Sequence, residues 1–202
     1  MKMSRLGLAL VCLLAVGGCG GQTSPSSSTG PITRPSSPSN PTAATSRPAF
    51  DTSGWTVFRP PDGSFELRMP GQPTTVSANL TSADWASPYT EAVVLNPGGT
   101  TGFSIGWIDY KPSALASKSL DTILAHGQAT QVARIANATI VEQSQIQLAG
   151  HPGRAWTLKF SGGFAMTRAF IVGVRLYTLQ AILADGDEAR GTAYLDSFTL
   201  KS

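Results

Sequence analysis

The chain has 202 residues and a formal net charge of +3, from 15 Lys and Arg against 12 Asp and Glu. Four basic residues, Lys2, Arg5, Arg34 and Arg47, precede Asp51, which leaves 11 basic against 12 acidic side chains in the rest of the chain. Charge guides binding only where it is locally concentrated, so this near-neutral remainder argues against a nucleic-acid partner.

The first 18 residues have the pattern of an export signal. Lys2 and Arg5 give a positive start, and the apolar run at residues 6–16 is too short to span a bilayer. The run is followed by two small residues and Cys19. This ending resembles the bacterial lipobox, with Val16 in place of the family's Leu.

The lipobox resemblance implies that Cys19 carries a diacylglyceryl group through a thioether and becomes the first residue of the mature protein. The alternative is an ordinary secreted protein that is cut at a small residue. Cys12 leaves with the signal peptide, so no disulfide or cysteine metal site is expected. The resemblance therefore implies a protein anchored to the extracytoplasmic side of the cell membrane through lipid on Cys19.

Residues 19–50 are predicted to be a disordered tether. Ser, Thr, Pro and Gly dominate this segment, which has almost nothing apolar to bury. A coil of this length has a root-mean-square span of roughly 30 Å. We interpret it as a spacer, with O-glycosylation as an open alternative, and assign residues 51–202 to one folded domain.

The first half of the domain reads as β-structure. Alternating apolar residues bounded by turn residues predict strands at residues 55–59, 64–69, 74–80, 86–95 and 102–110. The pattern then changes to helical spacing over residues 119–136, with Ser119 as the N-cap. This is the main amphipathic helix of the prediction.

The second half adds four strands and a short C-terminal helix. Strands are predicted at residues 139–148, 154–160, 164–172 and 174–183, with a turn at residues 150–153. A helix is predicted at residues 188–197, with Tyr194, Leu195 and Phe198 turned inward. The predicted fold class is α+β: an antiparallel β-sheet with one main amphipathic helix and a short C-terminal helix.

Four short segments, at residues 65–73, 148–154, 168–177 and 196–198, resemble Mog1/PsbP-like domains of bacterial exported proteins, including the LpqN type. The resemblance covers most of residues 54–201 and implies a Mog1/PsbP-like sandwich. Members of that fold act mainly as extrinsic accessory or protein-binding modules, which is an implication of the fold alone.

Residues 102–106 match the G-x-S-x-G pattern of serine hydrolases, with Ser104 at the centre. Partners in the matching chain order would come from Asp109 or Asp121 and from His126 or His151. A nucleophile elbow requires a strand, a sharp turn and a helix, whereas this segment continues an alternating strand. We therefore interpret the match as accidental.

No cofactor or metal site is predicted. The chain has two histidines and no histidine pair at ligand spacing. We interpret His126 as a solvent-facing helix residue and His151 as a turn residue.

Asp109, Arg154, Arg168 and Arg175 are the polar candidates for a site, because each lies in or beside an apolar strand. We expect these four to face solvent on the wet side of the sheet. If Arg168 and Arg175 share a face, they form an anion-binding pair.

Trp85 and Tyr89 flank Pro88 in a loop-like stretch and are the predicted exposed recognition patch. Together, these features predict a non-enzymatic binding or accessory module of the cell envelope with a protein partner. Two alternatives stay open: a small hydrolase that uses Ser104, and a carrier of lipid or another apolar ligand in a groove beside the helix.

Overall fold

The structure, a computed structural model, describes residues 50–80, 84–96 and 101–201. The predicted signal peptide, Cys19 and the predicted tether up to residue 49 lie outside these residues. Across the described part of the chain, none of the helices has the length and apolar character that a membrane-crossing helix needs.

Strands dominate the described chain. In chain order the elements are β1 (Thr56–Phe58), β2 (Phe65–Met69), β3 (Thr74–Ala78), β4 (Tyr89–Leu95), β5 (Gly102–Asp109), α1 (Pro112–Ala116), α2 (Leu120–Arg134), β6 (Thr139–Leu148), β7 (His151–Phe160), β8 (Gly163–Val172), β9 (Arg175–Leu183), α3 (Glu188–Asp196) and β10 (Thr199–Leu200). Seven strands form one antiparallel sheet in the order β3-β4-β5-β9-β8-β7-β6. The smaller sheet has the order β1-β2-β10. The predicted α+β class is confirmed.

The central strands of the large sheet are covered on both faces, so the fold has three layers. On one side, called here the α3 face, the small sheet and α3 enclose a core that includes Phe65, Phe103 and Leu179. On the other side, the α2 face, the two earlier helices enclose Ile123, Leu158 and other apolar side chains. The central strands β5, β9 and β8 are buried over most of their length because they have strands on both sides and a layer on each face.

The main helix agrees with the sequence prediction. The side chain of Ser119 accepts a hydrogen bond from the backbone N–H of Thr122 and caps α2 as expected. Tyr194, Leu195 and Phe198 are buried as predicted for the C-terminal helix. The five residues of α1 and the two of β10 were not predicted, because elements this short have no periodicity to read.

The predicted turn at residues 150–153 is wrong. Strand β7 begins at His151, which pairs with Leu148, so the turn has only two residues, Ala149 and Gly150. Both have positive φ, 50° and 83° respectively. Two such residues reverse the chain with the twist of a β-hairpin, so Pro152 and Gly153 are strand residues rather than turn residues.

Candidate functional site

Ser104 lies within a continuous strand and is fully buried, with 0% of its surface exposed. The glycines around it have packing roles. A Cβ at Gly102 would lie 2.6 Å from the carbonyl oxygen of Val94, and a Cβ at Gly106 would lie 2.1 Å from the hydroxyl of Tyr89. The expected strand context is therefore present, and the G-x-S-x-G match reflects close contacts between strands.

The predicted recognition patch at Trp85 and Tyr89 is wrong, because both side chains belong to the core. Trp85 is 7% exposed and Tyr89 is 3% exposed. The Trp85 ring packs edge-on against Tyr110, with ring centroids 4.4 Å apart, and the Tyr89 ring lies over Gly106. The glycine at position 106 is the sequence signal for this burial, since it leaves space that an aromatic ring fills.

Arg175 is the centre of a carboxylate cluster. Its Nε and Nη2 donate to the two carboxylate oxygens of Asp109 at 2.6 and 3.0 Å. Its Nη1 donates to Asp62 at 2.5 Å and to the hydroxyl of Ser64 at 3.1 Å. The bonds to Asp109, and to a smaller extent that to Asp62, raise the pKa of Arg175, and Asp109 holds the planar guanidinium in a bidentate geometry. This arrangement joins three segments of the chain. The guanidinium of Arg175 is occupied by the carboxylates of Asp109 and Asp62.

Arg154 joins α2 to the sheet. Its Nη1 donates to the side-chain oxygen of Gln128 at 3.0 Å, and its Nη2 donates to Asp121 at 2.6 Å. The expectation that the charged strand residues face solvent is therefore wrong: Asp109, Arg154, Arg168 and Arg175 are each partly buried and ion-paired. Burying a charge without a partner is costly, so each of these positions recruits one.

A groove lies on the α3 face, over strands β6, β7 and β8. Its volume is about 340 Å³. Register places alternate residues of each strand on this face. The side chains that define this β6 groove are Glu142, Ser144, Ile146, Leu148, Ala155, Thr157, Met166, Arg168, Phe170 and Leu195.

The β6 groove is open because α3 does not extend over this end of the sheet. Helix α3 packs on β9 and β8, where Gly191 lies close to Met166 and Leu183. On the opposite face, α2 packs on β7 and β8, and its Gln128 donates to Gln143 of β6 at 3.0 Å. One face of β6 and β7 is therefore accessible beside the wall that α3 provides.

Arg168 is the predicted site residue that the structure places in the groove. Its Nη2 lies 2.7 Å from Asp196 of α3, which fixes the guanidinium at the groove wall. Arg168 and Arg175 do share the α3 face, but Arg175 lies opposite Val172, four residues farther along β8. Each arginine has its own carboxylate, so the predicted anion-binding pair is not formed.

The groove combines an apolar floor with polar groups at its margins. Ile146, Met166 and Phe170 supply apolar contact area, and the hydroxyls of Ser144 and Thr157 are donors and acceptors. Such a surface suits an extended ligand with alternating apolar and polar groups. Within the described ranges no group of three or more His, Cys, Asp and Glu side chains is placed to hold a metal ion.

The histidines lie in different places from those expected. His126 is half-buried on α2 rather than solvent-facing. His151 is the first residue of β7 rather than a turn residue, because the hairpin turn ends at Gly150. The two side chains belong to different elements and do not form a common site with Ser104 in the interior of β5.

No protein-family model and no curated protein sequence matches the chain. Solved structures with a similar fold include cyanobacterial PsbP (CyanoP) from Synechocystis, with 10% identity, a TM-score of 0.48, and coverage of 73% of this chain and 92% of that chain. A structure from Bacteroides thetaiotaomicron has 10% identity, a TM-score of 0.40, and coverage of 72% and 48%. A Pseudomonas aeruginosa protein of unknown function has 12% identity, a TM-score of 0.38, and coverage of 70% and 91%.

The first of these structures is a PsbP protein, the type of domain that the sequence also resembles. At these identities and scores, no activity, ligand or partner of the three proteins transfers to this chain.

The groove was not found from the sequence. Its residues come from four elements, and most are ordinary strand residues when read singly. The one signal in the sequence for the groove was the series of three predicted hairpins from β6 to β9. This series indicates which strands are neighbours in the sheet. The sequence does not show how far α3 extends over the sheet. That extent decides which strand residues are accessible to a ligand.

Proposed function

We propose that this protein is a lipid-anchored, non-enzymatic binding module of the cell envelope, and that it holds an envelope protein in the β6 groove. The observation that carries the proposal is the uncovered apolar floor on the α3 face, in a sheet whose central strands are covered by other layers. An accessible concave surface with an apolar floor and a few fixed polar groups is the usual form of a binding site.

The state of the polar residues supports binding over catalysis. Ser104 is enclosed in the sheet, and Arg154, Arg168 and Arg175 each neutralise a carboxylate. Groups held this way rigidify a surface and orient a ligand. Rigid scaffolds present binding surfaces at low entropic cost, because little order has to be created on association.

Photo-crosslinking in intact cells tests the groove. We would introduce a photoreactive amino acid at Thr157 of the full chain, with Val76 as the control position because it is exposed on the opposite edge strand. We expect a specific protein adduct at Thr157 that is absent at Val76. A lipid adduct, or equal adducts at both positions, would overturn the proposal of a protein partner in this groove.

Fatty-acid labelling tests the anchor. The lipobox resemblance predicts that Cys19→Ser abolishes incorporation of a labelled fatty acid and leaves the precursor uncut. Cys12→Ser is the matched control, because Cys12 is predicted to leave with the signal peptide and its loss should not change labelling. Labelling that survives in Cys19→Ser would contradict the anchor.

A further inference from the structure

Strand β6 is an edge strand without the usual protection against pairing. It has ten residues and is the outermost strand of the large sheet, whereas the opposite edge strand β3 has five. Glu142 is the single charged side chain within β6, which contains no Pro, Lys or Arg. An edge strand presents unpaired N–H and C=O groups that can pair with another chain. Natural sheets prevent this pairing with Pro and charged residues, especially Lys, in their edge strands.

Both faces of this strand are accessible. The first seven residues of β6 are exposed, and Ile140 and Val141 are 43% and 60% exposed. An irregularity in the pairing between Ile140 and Glu142 ends the regular part of the strand on one side, and the turn at Ala149 ends it on the other. A straight, nearly uncharged segment from Glu142 to Leu148 is thus available for pairing.

We propose that the β6 strands of two copies pair in an antiparallel arrangement, around a two-fold axis that passes through Gln145. An isologous contact brings the same surface of two copies together, so the pairing must be self-complementary. Only an axis at Gln145 pairs all seven residues of the straight segment. It sets Gln145 opposite Gln145 of the second copy and Glu142 opposite Leu148 of the second copy.

The side chains are compatible with this register. Gln143, Gln145 and Gln147 lie on the α2 face, where Gln143 meets Gln147 of the second copy. The side-chain oxygen of Gln143 accepts from Gln128 of its own copy, so its amide N–H groups are the donors toward Gln147. The two Glu142 carboxylates are six residues apart along the strands, which is about 20 Å and well beyond the screening length of about 8 Å at physiological salt. No like charges face each other.

This pairing completes the β6 groove. The groove ends at β6, so a single copy leaves that side without a wall. A two-fold axis perpendicular to the sheet puts the α3 faces of both copies on the same side. The two grooves then form one continuous floor between two α3 helices, which is long enough for an extended polypeptide.

Disulfide trapping of the full chain in intact cells tests the register. Residues directly opposite in an antiparallel pair have Cα atoms about 4.5–5.5 Å apart, which suits a disulfide. Under mild oxidation, Gln145→Cys should give a covalent dimer on a non-reducing gel. Gln143→Cys and Gln147→Cys are matched controls that should stay monomeric, because the same residue in two copies is then about 14 Å apart.

The double variant Gln143→Cys/Gln147→Cys should again give the covalent dimer, because the thiol at position 143 of one copy then faces the thiol at position 147 of the second copy. The wild-type chain controls for crosslinking through Cys19. Failure of Gln145→Cys to crosslink, or equal crosslinking of all three single variants, would overturn the proposal. A dimer formed by Gln143→Cys or Gln147→Cys alone would overturn the register.

Sedimentation of the purified full chain in detergent gives an independent measurement. Gln145→Lys puts two ammonium groups side by side at the axis and should convert the dimer to a monomer, because directly opposed like charges destabilise a strand pair. Val76→Lys on the opposite edge should leave the dimer intact. A wild-type monomer would overturn the proposal, and this result is independent of whether the groove captures a protein.

Discussion

At the scale of single residues, the sequence indicated which charges matter but not what they do. Arg175 was a candidate for anion binding, and its partners Asp109 and Asp62 lie 66 and 113 residues away along the chain. A half-buried charge in an apolar strand requires a partner, which is a prediction that residue type and context allow. The identity of the partner depends on which segments the fold brings together, and no local pattern contains that information.

We expect Asp62→Asn to lower the free energy of unfolding by about 0.5–1 kcal/mol at neutral pH, because the ion pair with Arg175 is partly exposed. Burial raises the pKa of Asp62, but hydrogen bonds from Arg175 and Ser64 outweigh it and hold the pKa below its ordinary value of 3.8. The stabilisation is therefore complete above the unfolded pKa and is lost as the pH falls through the folded pKa.

Urea unfolding of wild type and Asp62→Asn from pH 7 to pH 3 measures this effect. The difference should be constant down to about pH 5 and should shrink below about pH 4. In an Arg175→Met background, the same substitution should have a smaller effect, because the ion pair is gone and only the hydrogen bonds from Ser64 to Asp62 remain. A difference that is unchanged at pH 3 would contradict this account.

At the scale of elements, periodicity and turn residues predicted most of the strands and both longer helices, and β6 agrees at both ends. The error at the start of β7 has a specific cause. Pro152 and Gly153 are typical of turns, but Gly153 is a strand residue that lies under the Phe170 ring, where a Cβ would come within 2.4 Å of the ring. A glycine selected for close packing and one selected for a turn look the same in a sequence.

The turn itself gives a prediction. Ala149 has a φ of 50°, a conformation that costs an L-residue with a Cβ about 1–2 kcal/mol. The chain uses Asn at its other left-handed non-glycine position among the described residues, Asn137. We expect Ala149→Asn to raise the free energy of unfolding by about 0.5–1 kcal/mol, because Asn-Gly is the preferred pair for a two-residue hairpin turn.

Thermal and urea unfolding would measure this gain. Ala136→Asn is the control, because Ala136 has a negative φ and should gain nothing. If both variants change stability equally, backbone conformation at the turn is not the cause.

At the scale of the whole molecule, neighbouring strands joined by hairpins were predictable, and the remaining topology was not. Strands β6 to β9 follow one another in the sheet as they do in the chain. The contact between β5 and β9 closes a long loop, and the small sheet pairs the two ends of the domain. These long-range contacts depend on the packing of all three layers together.

This architecture predicts the order of amide hydrogen exchange in the full chain. Amides of β5, β8 and β9 should exchange slowest, because these strands have neighbours on both sides and covered faces. Amides of the edge strand β3 should exchange fastest among the strands of the large sheet. Mass spectrometry after exchange would measure this, and equal rates in β3 and β5 would contradict the layered core.

The described chain begins at Phe50, whose ring packs on Trp55, and β1 follows with only three residues paired to β2. A pulling force applied at residue 50 acts first on this contact and then separates β1 from β2 one residue pair at a time. The ring contacts of Trp55 with Phe103 and of Phe58 with Trp107 also lie in that path, but no strand pairing of the seven-stranded sheet does. Release of β1 would therefore extend the reach of the predicted tether by roughly 30 Å, while the strands of the sheet that carries the groove stay paired.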